Sequence, residues 1–341
     1  MFPMRSSGEV WRLRRLPGLD GVRGLAIILV ILCHSAVPHL NLAGQAGVTL
    51  FFVLSGFLIT GILLGGQNLS SFWPRRARRL LPALLVMLAL LLPAFVLAGW
   101  TVRQYGDAAW PGLLYVANIR EMQTGWIFPF GHLWSLSVEE QFYVVWPLVV
   151  VALRRRPAAV LAVSLLGVAA SVMARWNAEG FHAVLGTDTN AFAMFAGTAL
   201  AAAFATGWKP PIGRGATWIG AAAVIASALW SPTAPRVDMV ATLTTAGAVL
   251  MIAGEVAGRG DPLLRFPPLR YVGRVSYGWY LWHIPLITLF STPGMPGVEV
   301  PLKLALCGVA LAIAALSFRF IEVPLQGRRP AAAVVPAPVA S

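Results

Sequence analysis

Arg23 and His34, with ten residues between them, stand in LDGVRGLAIILVILCHS, the first long apolar run of the chain. An ionisable group within a membrane span costs about 2.5–3.5 kcal/mol or more, so each one marks a candidate functional position. On an α-helix the eleven steps from Arg23 to His34 turn about 1100°, about 20° beyond three full turns, and rise about 16.5 Å. Both side chains therefore share one stripe, with Arg23 at the mouth and His34 deeper. Two readings fit this spacing. The pair can be a snorkelling Arg and a packed His bonded to a neighbouring helix. Alternatively, a neutral imidazole can act as general base on a hydroxyl nucleophile while a permanently charged guanidinium holds an anionic donor. Cys33, next to His34, points about 100° away and makes a poor nucleophile–base pair with it.

A second basic group, FWPRRARRLLPALL, carries Arg75, Arg76, Arg78 and Arg79 just before an apolar run. Such a group can be an orientation anchor. Four Arg without a Lys also suit bidentate phosphate recognition, and Arg76 and Arg79, at i and i+3, share a helical face. The segment HLWSLSVEEQFYVVWP brings His132, Ser135 and Glu139 to one face at i, i+3 and i+7. A hydrolase triad also needs an oxyanion hole that spacing does not supply, so a polar cavity wall is the better-supported reading. YVGRVSYGWYLWHIP adds Tyr277, Trp282 and His283, and Glu322 follows near the end of the last apolar run.

The elements that must position these residues are membrane helices. The chain has 341 residues, 58% hydrophobic and 11% charged, which leaves too few charges to cover a soluble surface and excludes a soluble enzyme. Apolar runs at 22–40, 46–66, 80–100, 132–153, 157–176, 190–206, 216–231, 237–257, 275–292 and 301–323 predict an all-α polytopic membrane bundle of about ten transmembrane helices. With the N-terminus inside, 21 of the 26 Lys and Arg fall on the cytoplasmic side, leaving Arg103, Arg120, Arg175, Arg236 and Lys303 outside. The inverse topology violates the positive-inside bias, so both termini are expected to be cytoplasmic. The net charge of +13 is accordingly read as orientation, with no nucleic-acid partner. Residues 1–21 read as a retained cytoplasmic segment, 22–325 as the membrane domain, and the Pro/Ala-rich 326–341 as a disordered tail. Residues 101–131 form the one sizeable outer connection, and its WPGLLYVANI piece is expected to dip into the interface or form a short helix. Cys33 and Cys307 both lie in apolar runs, so neither a disulfide framework nor a metal site is expected.

Six segments in order resemble acyltransferase family 3 of integral membrane proteins: LDGVRGLAIILVILCHS, GVTLFFVLSGFLITGILL, FWPRRARRLLPALL, HLWSLSVEEQFYVVWPL, GRVSYGWYLWHIPL and LSFRFIEVPL. The resemblance implies transfer of an acyl group, usually acetyl from acetyl-CoA, to a hydroxyl of a carbohydrate or natural product. The family's Arg-X10-His pair falls on Arg23 and His34, its Arg-X-X-Arg motif on Arg76 and Arg79 before Pro82, and its acidic position on Glu139. It thus implies catalytic roles for His34, Arg23 and Glu139 and donor binding by Arg23, Arg76 and Arg79. His132, Ser135, Tyr277, Trp282 and His283 are left as acceptor or cavity-lining residues.

Two positions depart from the family pattern. Thr49 stands where an Asp is usual before Phe-Phe, leaving a hydroxyl in place of a charge that would pair with His34. Asn190 stands where an Arg is usual, which is read as a difference in acceptor. No segment resembles the extracellular esterase-like domain of some relatives, so the chain is expected to act alone or with a separate partner.

On this reading cytoplasmic acyl-CoA is a donor substrate, no cofactor is permanently bound, and the acceptor is a cell-surface glycan, glycolipid or related product at the cytoplasmic (inner) membrane. The competing class is a proton-coupled transporter or channel that uses His34, His283, Glu139 and Arg23 as a relay.

Overall fold

The computed structural model describes residues 16–229, 237–258, 261–290 and 299–326. Most of the expected N-terminal segment 1–21 and of the tail 326–341 lies outside the described residues, as does Arg236. Among the described residues the chain is a helical membrane bundle without strands. Its helices are α1 (Pro17–His34), α2 (Ala43–Leu64), α3 (Leu69–Leu97), α4 (Val102–Leu113), α5 (Ala117–Thr124), α6 (Trp134–Leu153) and α7 (Pro157–Asn177). There follow α8 (Gly180–Leu185), α9 (Thr187–Ala205), α10 (Arg214–Leu229), α11 (Val237–Ala257), α12 (Pro267–Phe290) and α13 (Glu299–Ser317), the last running on through a π turn at Phe318–Glu322.

Each expected span falls on one helix, but among the described residues seven helices are long and apolar enough to cross a membrane: α1, α2, α3, α6, α7, α11 and α13. Of the other three, α9 opens on the polar TDTN, α10 has 16 residues, and α12 carries Arg270 and Arg274. Two boundaries also shift. Pro17 in the first turn starts α1 five residues ahead of the expected span, and the helix ends at His34. More consequentially, α3 begins at Leu69, ahead of the expected span at 80–100, so Arg75, Arg76, Arg78 and Arg79 lie within the helix instead of just before it. Pro74 removes only one backbone hydrogen bond there, and neighbouring helices support the turn. The 101–131 connection folds into two helices, of which α4 starts with a capping box. Gln104 N–H donates to Thr101 Oγ1 at 3.2 Å, and Thr101 N–H donates to Gln104 Oε1 at 2.9 Å.

Helix α2 is the most enclosed of the seven, packed by α1, α6, α9, α10 and α11. Small residues set how near its neighbours come. A Cβ on Gly56 would lie 2.0 Å from the Met194 carbonyl oxygen, and one on Gly197 would lie 1.9 Å from that of Val53, so α2 and α9 meet backbone to backbone. α1 and α12 close on each other the same way: a Cβ on Gly273 would lie 1.8 Å from the Asp20 carbonyl oxygen and one on Gly24 2.3 Å from that of Leu269. That contact sets the geometry of the site, because Arg23 and His34 ride on α1 while Tyr277, Tyr280 and His283 ride on α12.

Candidate active site

A cleft of about 690 Å³, including its open mouth, lies between α1, α2, α3, α6 and α12. Arg23, Arg76, Arg79, Ser55, Ser135, Glu139, Tyr277 and Tyr280 line it, with Val48, Phe51, Phe52, Leu80 and Leu136 as apolar wall. Residues from four expected motifs therefore converge on one cavity. His132, Trp282, His283 and His34 are not part of its wall; Trp282 is buried in the core.

The arginines divide by their surroundings. The Arg76 guanidinium pairs with Glu140, Nη2 to Oε1 at 2.6 Å, and its Nε–H donates to the same oxygen at 2.7 Å. It lies 3.8 Å from Glu139 and stacks 3.6 Å above the centroid of the Tyr143 ring. Glu139 in turn accepts from Tyr143 at 2.9 Å and from the Ser55 hydroxyl. Two carboxylates thus answer one cation. Arg23 and Arg79 have no ion pair among the described residues, the Arg23 Nε is buried without a hydrogen-bond partner, and the charge acting most strongly on Arg79 is the like charge of Arg23. Glu322, buried at the π turn, is the foremost opposing charge on Arg79. Two cations facing one cavity and repelling each other make a receptor for an anion.

At the other end of the cavity Tyr280 closes the wall. Its hydroxyl donates to the His132 carbonyl oxygen, so the Ser135 hydroxyl, 2.7 Å away, is the donor to Tyr280. Beyond Tyr280 three imidazoles cluster: His132 and His283 at 5.3 Å between centroids, His283 and His34 at 5.0 Å. They do not converge as metal ligands; no group of His, Cys, Asp or Glu among the described residues does. Neither ring nitrogen of His132 has a well-directed hydrogen-bond partner, although the carbonyls of Pro129, Tyr280 and Leu281 surround it. His132 precedes α6 in a short 3₁₀ turn and its ring packs against Tyr280 of α12, 5.3 Å between centroids, while the Ser135 hydroxyl bonds to Tyr280. No Ser–His pair forms. Tyr277 donates to the Leu80 carbonyl at 2.8 Å and ties α12 to α3.

The connection preceding His132 is fastened by Glu121. This fully buried carboxylate accepts the Ile127 N–H at 2.9 Å, leaves its second oxygen unpartnered, and abuts Gly131, where a Cβ would lie 2.3 Å from Oε1. Burial pushes the Glu121 carboxyl up to about 7.

Neither family departure touches the imidazoles. Thr49 accepts a hydrogen bond from Gln45 at 3.5 Å, and Asn190 donates to the carbonyls of Val184 and Gly186 at 2.9 and 2.8 Å, fastening the start of α9. Ser55 and Tyr280 escaped the sequence reading, and Glu140 and Tyr143, visible in HLWSLSVEEQFYVVWP, carried no assigned role there. Tyr280 had a legible signal, since it sits three residues from both Tyr277 and His283 on one helical face. Ser55, a lone hydroxyl in an apolar run, had none that identified its partner.

A family model described as an acyltransferase domain matches residues 16–319. Peptidoglycan O-acetyltransferase OatA of Listeria monocytogenes is 32% identical over 91% of this chain and 56% of its own length. Putative peptidoglycan O-acetyltransferase YrhL of Bacillus subtilis is 34% identical over 92% of this chain and 55% of its own. O-acetyltransferase OatA of Staphylococcus aureus is 29% identical over 92% and 57%. The chain spans little more than half the length of these relatives. No solved structure matches.

Proposed function

The chain belongs to the acyltransferase family, and from that premise we propose that it is a membrane O-acetyltransferase that moves acetyl from cytoplasmic acetyl-CoA to a hydroxyl of a cell-wall glycan. The observation that carries the donor class is the pair of cations without an ion pair among the described residues, Arg23 and Arg79, in a cavity whose remaining wall is mostly apolar and hydroxyl-bearing side chains. A phosphate-rich head suits that end. Arg76 then supports the cavity wall through Glu139 and Glu140, and Arg23 and Arg79 meet the phosphates. The acceptor class is suggested by the relatives, whose names specify peptidoglycan.

Chemistry follows from the imidazole end. His34 takes the proton of the acceptor hydroxyl as its oxygen attacks the thioester carbonyl. The tetrahedral intermediate collapses by breaking the carbon–sulfur bond, and the leaving thiolate recovers the proton from the imidazolium. Atoms and charge balance, with an O-acetyl ester and CoA thiol as products and no acyl-enzyme. Tyr280 and Ser135 separate the cavity from the imidazoles, so the thioester must pass that pair. An apolar surround keeps water from the thioester.

The test uses purified protein, labelled acetyl-CoA and glycan acceptor. His34→Ala is expected to lose about 10²–10⁴-fold in transfer, the usual worth of a general base, with acetyl-CoA affinity unchanged. Full transfer by that variant refutes the base assignment.

A further inference from the structure

We infer that His283 is the positioning residue for His34, standing where a carboxylate would orient and charge-stabilise a catalytic imidazole. This rests on the reading of His34 as general base.

The backbone contact of α1 with α12 brings the two rings together, His283 Nε2 to His34 Nδ1 at 3.3 Å. His283 is fully buried, and its Nδ1 lies 2.7 Å from the Tyr280 carbonyl oxygen. A carbonyl only accepts, so Nδ1 of His283 carries the hydrogen, and in a neutral ring Nε2 is then a lone-pair acceptor. His34 Nδ1 consequently faces two acceptors, that Nε2 and the Val30 carbonyl oxygen at 2.9 Å. Its hydrogen is fixed on Nδ1. The bare nitrogen of His34 is Nε2, to which no protein group among the described residues hydrogen-bonds, and that is the nitrogen available to an acceptor hydroxyl.

No carboxylate hydrogen-bonds His34 among the described residues, and Thr49 is engaged with Gln45. When Nε2 takes a proton, the new charge is shared with the His283 lone pair and the Val30 carbonyl. A carbonyl four residues back on the same helix holds the tautomer. His283, arriving from another helix, fixes the plane of the ring and gives the imidazolium its second acceptor.

The experiment compares the full chain in lipid nanodiscs with its His283→Leu and His283→Gln variants. Leu removes the acceptor; Gln offers an amide oxygen to His34 and an N–H to Tyr280. His283→Leu is expected to lose about 10- to 100-fold in kcat, the worth of one hydrogen bond to a charged group, with acetyl-CoA Kd and acceptor KM unchanged. His283→Gln is expected to recover most of that loss. Nitrogen NMR of labelled histidine, with the His34 signals assigned by their disappearance in His34→Ala, is expected to show the Nδ1–H tautomer in the unmodified chain. Wild-type kcat in His283→Leu, equal inactivity of the Leu and Gln variants, or an unprotonated His34 Nδ1 overturns the inference. If His283→Leu does not fold, the Gln variant and the wild-type spectrum still decide it. Retained transfer in His34→Ala would sink the base reading instead, while the tautomer is judged by its own spectrum.

Discussion

Replacing Arg76 and Arg79 separately with Gln should produce two different failures, although both belong to one Arg-X-X-Arg motif. Arg79 has no ion pair among the described residues, and the charge acting most strongly on it is the like charge of Arg23. Arg79→Gln relieves that repulsion in the free protein and removes a charge-assisted hydrogen bond to the donor phosphates, worth about 1.5–3 kcal/mol. At about 1.4 kcal/mol per tenfold, the acetyl-CoA Kd should rise about 10- to 100-fold with no loss of thermal stability. Arg76 is paired with Glu140 at 2.6 Å, both side chains less than one-fifth exposed, and stacked on Tyr143. Arg76→Gln leaves a carboxylate without its cation, which for a buried pair costs about 3–5 kcal/mol; the partial exposure here argues for the lower end. Its signature should be a lowered melting temperature with a smaller effect on Kd. Calorimetric titration of acetyl-CoA and thermal melts of the same detergent-solubilised samples separate the two. Unchanged Kd in Arg79→Gln, or an Arg76→Gln variant that melts like the unmodified chain and fails only in donor binding, would refute the division.

Two further predictions concern the scaffold. Gly273→Ala inserts a methyl 1.8 Å from the Asp20 carbonyl oxygen, which rigid backbone cannot yield, so α1 and α12 should part and acetyl transfer should be lost together with stability; normal transfer and melting would show that the contact does not position the imidazoles. Glu121, pushed up to about 7, keeps its proton in the folded protein where the unfolded chain has released it. Its contribution to stability is therefore greatest below the unfolded value near 4.5 and is lost as pH rises toward about 7. Melting temperature across that window should fall less in Glu121→Gln than in the unmodified chain; parallel curves would refute the assignment.

Apolar runs and the placement of charge determined by themselves that this is a helical membrane protein, because a bilayer admits so few ways of satisfying the backbone. Helical period alone put Arg23 and His34 on one stripe, and segment order alone marked the family. Boundaries were less legible: α3 begins at Leu69, ahead of the expected span at 80–100, so RRARR lies within the helix, and α6 supplies carboxylates that draw one of its guanidiniums inward. Which one is drawn inward is a tertiary matter. Arg76 and Arg79 share a motif and a face and both line the cavity, and only the approach of Glu140 distinguishes a supporting arginine from one left without a carboxylate within ion-pair distance. The partner of His34 was likewise beyond sequence, since 249 positions separate it from His283 and only backbone contact between α1 and α12 brings the rings within 3.3 Å. Local spacing fixes which side chains share a helix face, whereas what that face meets is decided by how closely other helices can pack against it.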